Sequence, residues 1–171
     1  MNRILILSAV DAGCQAGLTM DMPRARRRHR SRPAVHVLIL DEPTTGVDPE
    51  QRVTLRAVLA ELARTSIVVL STHQTEDVAA LCERVVVLDR GRVRYDGAVT
   101  ELVDRAAGRV WLADAPDPAA MLSWRTGTGR YRNVGTQARD GVEHVEPSLE
   151  DAYLLLRGGL PDSRPAAGAA S

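Results

Sequence analysis

The chain has 171 residues, zero net charge and 44% hydrophobic residues, which is enough for one domain with its own core. All 22 basic residues are Arg, so no phosphate-binding Gly-x-x-x-x-Gly-Lys-[Ser/Thr] loop exists in this sequence; the planar Arg fork does not replace a compact ammonium there. The neutral balance provides no whole-molecule field toward nucleic acid or a membrane surface, and no apolar run approaches the ~20 residues of a membrane helix, the longest being Val78–Cys82 and Ala152–Leu156.

Residues 1–33 differ from everything downstream. Ile4–Leu7 reads as a short strand; a Gly-, Pro- and Arg-rich stretch without periodicity follows, and six of the nine residues from Arg24 to Arg32 are Arg. The stretch reads as a flexible basic arm or as sequence outside the ancestral fold, and the second reading is preferred. The Arg cluster itself is a phosphate- or acidic-lipid-binding element, a solvated arm or non-native sequence; no aromatic residue is interleaved to stack bases, which disfavours nucleic acid as a partner. The first residues are no secretory signal, because their apolar stretch is short and Asp11 follows it. Cys14 and Cys82 lie far apart without ligand spacing, so neither a zinc site nor a disulfide framework is indicated, and a reducing cytoplasm is the expectation.

Regular patterning begins at residue 34 and runs to 108. Val37–Leu40 is a continuous apolar run, the pattern of a strand covered on both faces. Asp48-Pro49-Glu50-Gln51 is a helix start, with Asp as N-cap, Pro at the first helical position and Gln three residues after the cap. Leu55, Leu59 and Leu62 recur at helical spacing, which predicts an amphipathic helix over 49–64. Ile67–Leu70 is a second buried strand, and strand, helix, strand in so short a span implies parallel pairing. A short helix is predicted over 76–83 with Val78, Ala79, Leu81 and Cys82 inward, a hairpin over 84–96 turning at Asp89-Arg90-Gly91, and a helix capped by Thr100 through Ala107.

A smaller C-terminal region is expected over 109–160. Arg109–Leu112 reads as a strand, Pro118–Trp124 as a short helix, 125–141 as glycine-punctuated loop and Val142–Val145 as a weak strand. Trp111 and Trp124 read as packing residues. Ser148 caps a helix through Arg157 that ends at Gly158-Gly159, and 161–171 is a Pro-, Ala- and Gly-rich tail expected to be disordered.

The chemistry concentrates where two apolar runs stop. Val37–Leu40 runs into Asp41-Glu42-Pro43-Thr44-Thr45-Gly46-Val47-Asp48-Pro49, and Ile67–Leu70 runs into Ser71-Thr72-His73. Ligands of open α/β sheets bind at that carboxyl edge, and paired acids there divide labour between a metal ion and water. Alone, Asp-Glu marks only the surface end of a strand, and an isolated His is more often a capping or core residue.

Together with Glu83–Val93, the three spaced elements resemble the Walker B motif, D-loop, switch histidine and following hairpin of ATP-binding-cassette (ABC) ATPases, over residues 35–107. The resemblance implies an α/β fold, a partial P-loop NTPase core with parallel strands plus a small C-terminal α+β extension. It implies ATP and Mg²⁺ as cofactors, with Asp41 binding the metal through water, Glu42 as general base, His73 contacting the γ-phosphate and Asp48 at a dimer interface. It further implies a membrane permease and a second ATPase subunit as partners, and a place at the cytoplasmic face of a membrane. Glu146–Leu156 resembles the segment that ends ATPases of ABC-2-type exporters, although a well-capped amphipathic helix accounts for those residues equally.

Three elements of the family are missing: the P-loop, the Q-loop Gln and the Leu-Ser-Gly-Gly signature. Where the signature belongs stands Asp11-Ala12-Gly13-Cys14-Gln15-Ala16-Gly17. The chain therefore resembles the C-terminal half of a nucleotide-binding domain. The expectation is an ABC-transporter ATP-binding subunit, truncated and inactive alone. The alternative is a non-catalytic module docking on a permease or a full-length ATPase. A DNA-repair type of the wider superfamily is disfavoured by the Ser71–Asp77 run and the C-terminal segment.

Overall fold

The computed structural model describes residues 4–9, for which it gives the backbone, together with 37–135 and 141–158. The larger sheet contains β1 (Ile4–Ala9), β2 (Val37–Asp41), β3 (Ile67–Ser71), β4 (Arg84–Asp89) and β5 (Arg92–Ala98) in the order β2-β3-β1-β4-β5. The first four run parallel and β5 closes antiparallel on β4. This is the α/β architecture that the strand-helix-strand pattern implies. The segment distinguished by composition thus contributes a central strand, and the expected Ile4–Leu7 strand extends to Ala9. The Arg24–Arg32 cluster and the expected tail at 161–171 lie outside the described residues.

Helix α1 (Pro49–Ala63) begins as expected. Asp48 is extended and its carboxylate accepts the Gln51 N–H at 2.9 Å. Leu59 and Ala63 are buried in one cluster with Val68 and Leu70 of β3. Leu62, expected inward, is 42% exposed. α2 (Thr75–Leu81) buries Val78, while Ala79, also expected inward, is exposed because a seven-residue helix presents only one narrow stripe to the core. α3 (Val99–Asp104) starts one residue before the expected Thr100 cap and has Ala98 at its N-cap.

β2 departs from its sequence reading. Among the described residues it is an edge strand, not one covered on both faces. Leu38 and Leu40 pack toward the core, but Val37 is 58% and Ile39 73% exposed. Four apolar residues in a row mark a strand buried on both sides only where layers cover both sides, and here the described residues place the core on one.

The second sheet is antiparallel, with β6 (Val110–Ala113), β7 (Leu122–Arg125), β8 (Tyr131–Val134) and β9 (Glu143–His144) in the order β7-β8-β6-β9. The expected helix over Pro118–Trp124 is a turn leading into β7. Met121 N–H donates to Val134 O at 2.8 Å, and Leu122–Arg125 pair along β8. Pairing along β8 overrides the helix-forming residues here. β8 falls within the expected loop, because the glycines that flank it mask a four-residue strand. α4 (Leu149–Gly158) opens with a reciprocal cap in which the Asp151 carboxylate accepts the Ser148 N–H and the Ser148 hydroxyl accepts the Asp151 N–H. Ala152, Leu155 and Leu156 join the same core cluster as Val68, Val85 and Leu102, so one core spans both sheets.

Candidate functional site

Parallel pairing puts the ends of β2 and β3 side by side, with Asp41 opposite Ser71 in register. The Ser71 hydroxyl donates to Asp41 Oδ1, and Glu42 N–H donates to Ser71 O at 2.8 Å. The chain then leaves the sheet. Glu42 adopts φ +45°, a left-handed conformation that costs a non-glycine residue energy and persists where surrounding contacts fix it.

Those contacts fall on the Glu42 carboxylate. Oε1 accepts the His73 backbone N–H at 3.0 Å and lies 2.7 Å from His73 Nδ1. Oε2 accepts the Thr45 hydroxyl at 3.0 Å and that of Thr72 at 3.4 Å. This leaves Nε2 as the His73 nitrogen that Glu42 does not engage. Glu42 is part-buried and His73 exposed, so the pair lies at the sheet rim and is open to a ligand. Charge-assisted contacts of this kind fix rotamers and hold a carboxylate oriented.

The structure thus brings Glu42 and His73 into contact and sets Asp41 beside them, tied to β3. Asp48 stands apart as the N-cap of α1. Sequence reasoning missed the buried support beneath. The Thr44 hydroxyl donates to Asp77 Oδ2 at 2.5 Å, and Arg56 of α1 donates from Nε to Asp77 Oδ1 at 2.7 Å and pairs with it through Nη2. Thr44 and Asp77 are both fully buried, so the loop after Glu42 is pinned to α1 and α2 together. The available signal was Asp77 itself, an acid in the first turn of the helix that follows His73. Nearby, burial and then the Asp77 charge push the Cys82 thiol up from 9.0 to about 12, making it inert.

Chemically, the arrangement offers an acid at the sheet edge, a second acid oriented by two hydroxyls and a backbone N–H, and an imidazole in contact with it. Among the described residues no group of three or more His, Cys, Asp or Glu could hold a metal unaided. A cation here would take ligands from a substrate as well, which is how Mg²⁺ is bound with phosphates.

No protein-family profile matches the sequence. Curated relatives do. The Nod factor export ATP-binding protein I of Burkholderia orbicola is 31% identical over 143 residues, covering 71% of this chain and 47% of the relative. The energy-coupling factor transporter ATP-binding protein EcfA2 of Symbiobacterium thermophilum is 47% identical over 72 residues, covering 42% of this chain and 25% of the relative. The chain is a homologue of ABC-transporter ATP-binding proteins. A similar solved structure is cbiO1 from Clostridium perfringens, part of the ABC transporter complex cbiONQ, with 35% identity and TM-score 0.35 over 39% of this chain and 27% of that one. This ABC homologue spans about half the length of the first curated relatives it matches. Among its described residues no helix is long and apolar enough to cross a membrane.

Proposed function

We propose that the chain is the ATP-binding subunit of an ABC transporter, of the ABC-2 export type, and that this polypeptide alone does not turn over ATP. The observation that carries the reading is the convergence of Glu42 and His73 beside Asp41 at the carboxyl edge of parallel strands. Export is supported by the Glu146–Leu156 segment and by relatives whose names specify Nod factor export.

The donor set fits one side of a magnesium nucleotide. Asp41 would hold Mg²⁺ through water. The ion, when bound, supplies neutralisation of phosphate charge. Glu42, oriented by Thr45, Thr72 and His73, is the group that accepts a proton from an attacking water. His73 Nε2 is the ring nitrogen available to a terminal phosphate. Asp48 is assigned to a subunit interface. The other side of the nucleotide lacks its cradle, because the sequence has no Lys and no glycine loop leading to one. The missing side falls to a second ATPase subunit, with a permease as the membrane partner and the cytoplasmic face as the place of work. Nucleic acid is not a partner in this reading.

The test is steady-state ATP hydrolysis by the purified chain with Mg²⁺. Turnover at the buffer background is expected; turnover that disappears in Glu42→Gln would show that this polypeptide is catalytic by itself. A second reading, a non-catalytic module that docks on a permease or a full-length ATPase, is favoured by the uncovered apolar edge at Val37 and Ile39. It predicts that Glu42→Gln leaves co-purification with such a partner unchanged.

A further inference from the structure

The Glu42–His73 contact lies at the sheet rim, open to water, where a contact between polar side chains is weakly held and does not fix two loops by itself. Beneath it runs a second tie between the same two segments. Thr44 follows Glu42 in one loop, and Asp77 follows His73 in the first turn of α2. The Thr44 hydroxyl donates to Asp77 Oδ2 at 2.5 Å, and neither side chain reaches solvent. Thr44 is the one buried residue from Glu42 to Asp48. The loop is organised around it. Thr45 N–H donates to Glu42 O at 3.1 Å, Val47 N–H donates to Thr44 O at 3.2 Å, and the Thr45 hydroxyl reaches back to Glu42 Oε2.

The other segment is bonded internally as well. Asp77 N–H donates to Gln74 O at 3.1 Å, and Gln74 N–H donates to the Thr72 hydroxyl at 3.1 Å, so Asp77 shares one compact turn with His73. Arg56 occupies the remaining Asp77 oxygen, donating from Nε to Oδ1 at 2.7 Å. With both oxygens engaged, the carboxylate has one orientation. A charge-assisted bond out of reach of water is also the stronger kind.

We propose that Asp77 is a positioning residue for Glu42: through Thr44 it holds the Glu42 loop against the His73 turn, so that the Glu42 carboxylate meets the His73 N–H and ring. Ser71 fixes where the chain enters the loop, by accepting the Glu42 N–H, and Asp77 fixes where it leaves. Without the second anchor, the loop lifts from α2 and Glu42 exchanges its protein donors for water. The inference deepens the function proposed above, since it rests on that reading for the role of Glu42 as base. The geometry it concerns is measured without nucleotide.

The readout is the backbone amide of His73, which donates to Glu42 Oε1 at 3.0 Å from an exposed turn. Such an amide exchanges with solvent through local opening, so a variant that only lowers global stability leaves its rate unchanged. Hydrogen exchange of the full chain, followed by NMR, is expected to show this amide accelerated by Glu42→Ala. Thr44→Val keeps the side-chain shape and deletes the donor, and is expected to accelerate it at least ~10-fold, the equivalent of about one hydrogen bond. Thr44→Ser keeps the donor and is expected to stay within about 3-fold of the unmodified chain, although it loses a buried methyl and unfolds at lower urea. If Thr44→Val does not fold, Arg56→Lys takes its place at the same threshold, because it retains the charge beside Asp77 and loses the fork that orients it. Three results would each overturn the proposal: a His73 amide unprotected in the unmodified chain, one unmoved by the deciding variant, or one accelerated as much by Thr44→Ser. The network would then serve stability alone. No nucleotide enters the measurement, so its failure is distinguishable from failure of the transporter reading, which ATP hydrolysis tests.

Discussion

Thr44 and Asp77, thirty-three positions apart in the chain, share a buried hydrogen bond of 2.5 Å directly beneath the loop that carries Glu42. Asp77 also binds Arg56, so one carboxylate with no solvent exposure joins the loop, α1 and α2. Removing it strands a part-buried guanidinium and a buried hydroxyl. Asp77→Ala is expected to cost about 3–5 kcal/mol, and Thr44→Val about 1–3 kcal/mol. The two losses overlap, because Thr44 has no acid to serve once Asp77 is gone. Urea titrations of both single variants and the double variant measure this, and simple additivity would mean that the network does not act as a unit.

The Arg132–Asp151 pair ties β8 to the start of α4. Arg132 Nε donates to Asp151 Oδ1 at 3.0 Å and Nη2 to Oδ2 at 2.6 Å. Burial pushes the Asp151 carboxyl up, but the Arg132 hydrogen bonds and the Ser148 N–H and hydroxyl outweigh it and hold the group below its ordinary value of 3.8. A carboxyl depressed in the folded state contributes stability that is complete above its unfolded value and is lost as pH falls through the folded one. Thermal stability is therefore expected to drop on acidification below about pH 4. Asp151→Asn should be less stable at neutral pH and should lose less over that acid range. Parallel pH profiles of the two proteins would contradict the assignment.

Cys82 provides a probe of the core. Burial first and the Asp77 charge second raise its thiol from 9.0 to about 12. At pH 8 the folded protein then holds roughly a thousandth of the thiolate of an unfolded chain. In a Cys14→Ser background, alkylation of the native protein is expected to be at least ~100-fold slower than in urea. Comparable rates in the two states would show that the core around α2 is open.

Much of the larger sheet was legible because its elements announce themselves locally. Asp48-Pro49-Glu50-Gln51 fixes the start of α1 through a cap that needs only four residues. Two apolar runs, each followed by polar chemistry, were enough to bring Glu42 and His73 together, since parallel neighbours end at the same edge. The edge position of β2 was not legible, because Val37–Leu40 would read the same with or without a layer over Ile39. β7 was hidden by the helix-forming Ala119, Ala120, Met121 and Leu122, where pairing with β8 overrides propensity. The Thr44–Asp77–Arg56 network joins three separate segments, and polar pairs of that kind leave no periodic trace in the chain.

The backbone at Glu42 permits a test in which the side chain's chemistry cancels. Its φ of +45° is a region that glycine enters freely and that an L side chain occupies at a cost. Glu42→Ala and Glu42→Gly both delete the carboxylate that holds His73, Thr45 and Thr72, so both lose the same hydrogen bonds. They differ in the Cβ. In ordinary extended or helical backbone, Ala is the more stable of the two by roughly 0.5–1 kcal/mol. At a left-handed position the order reverses, and Glu42→Gly is expected to exceed Glu42→Ala by about 1 kcal/mol. Chemical denaturation of the two variants side by side decides it. If Glu42→Ala proves the more stable, the left-handed turn is not imposed on the loop by the pairing of β2 with Ser71, and the contacts between Glu42 and His73 must themselves create it.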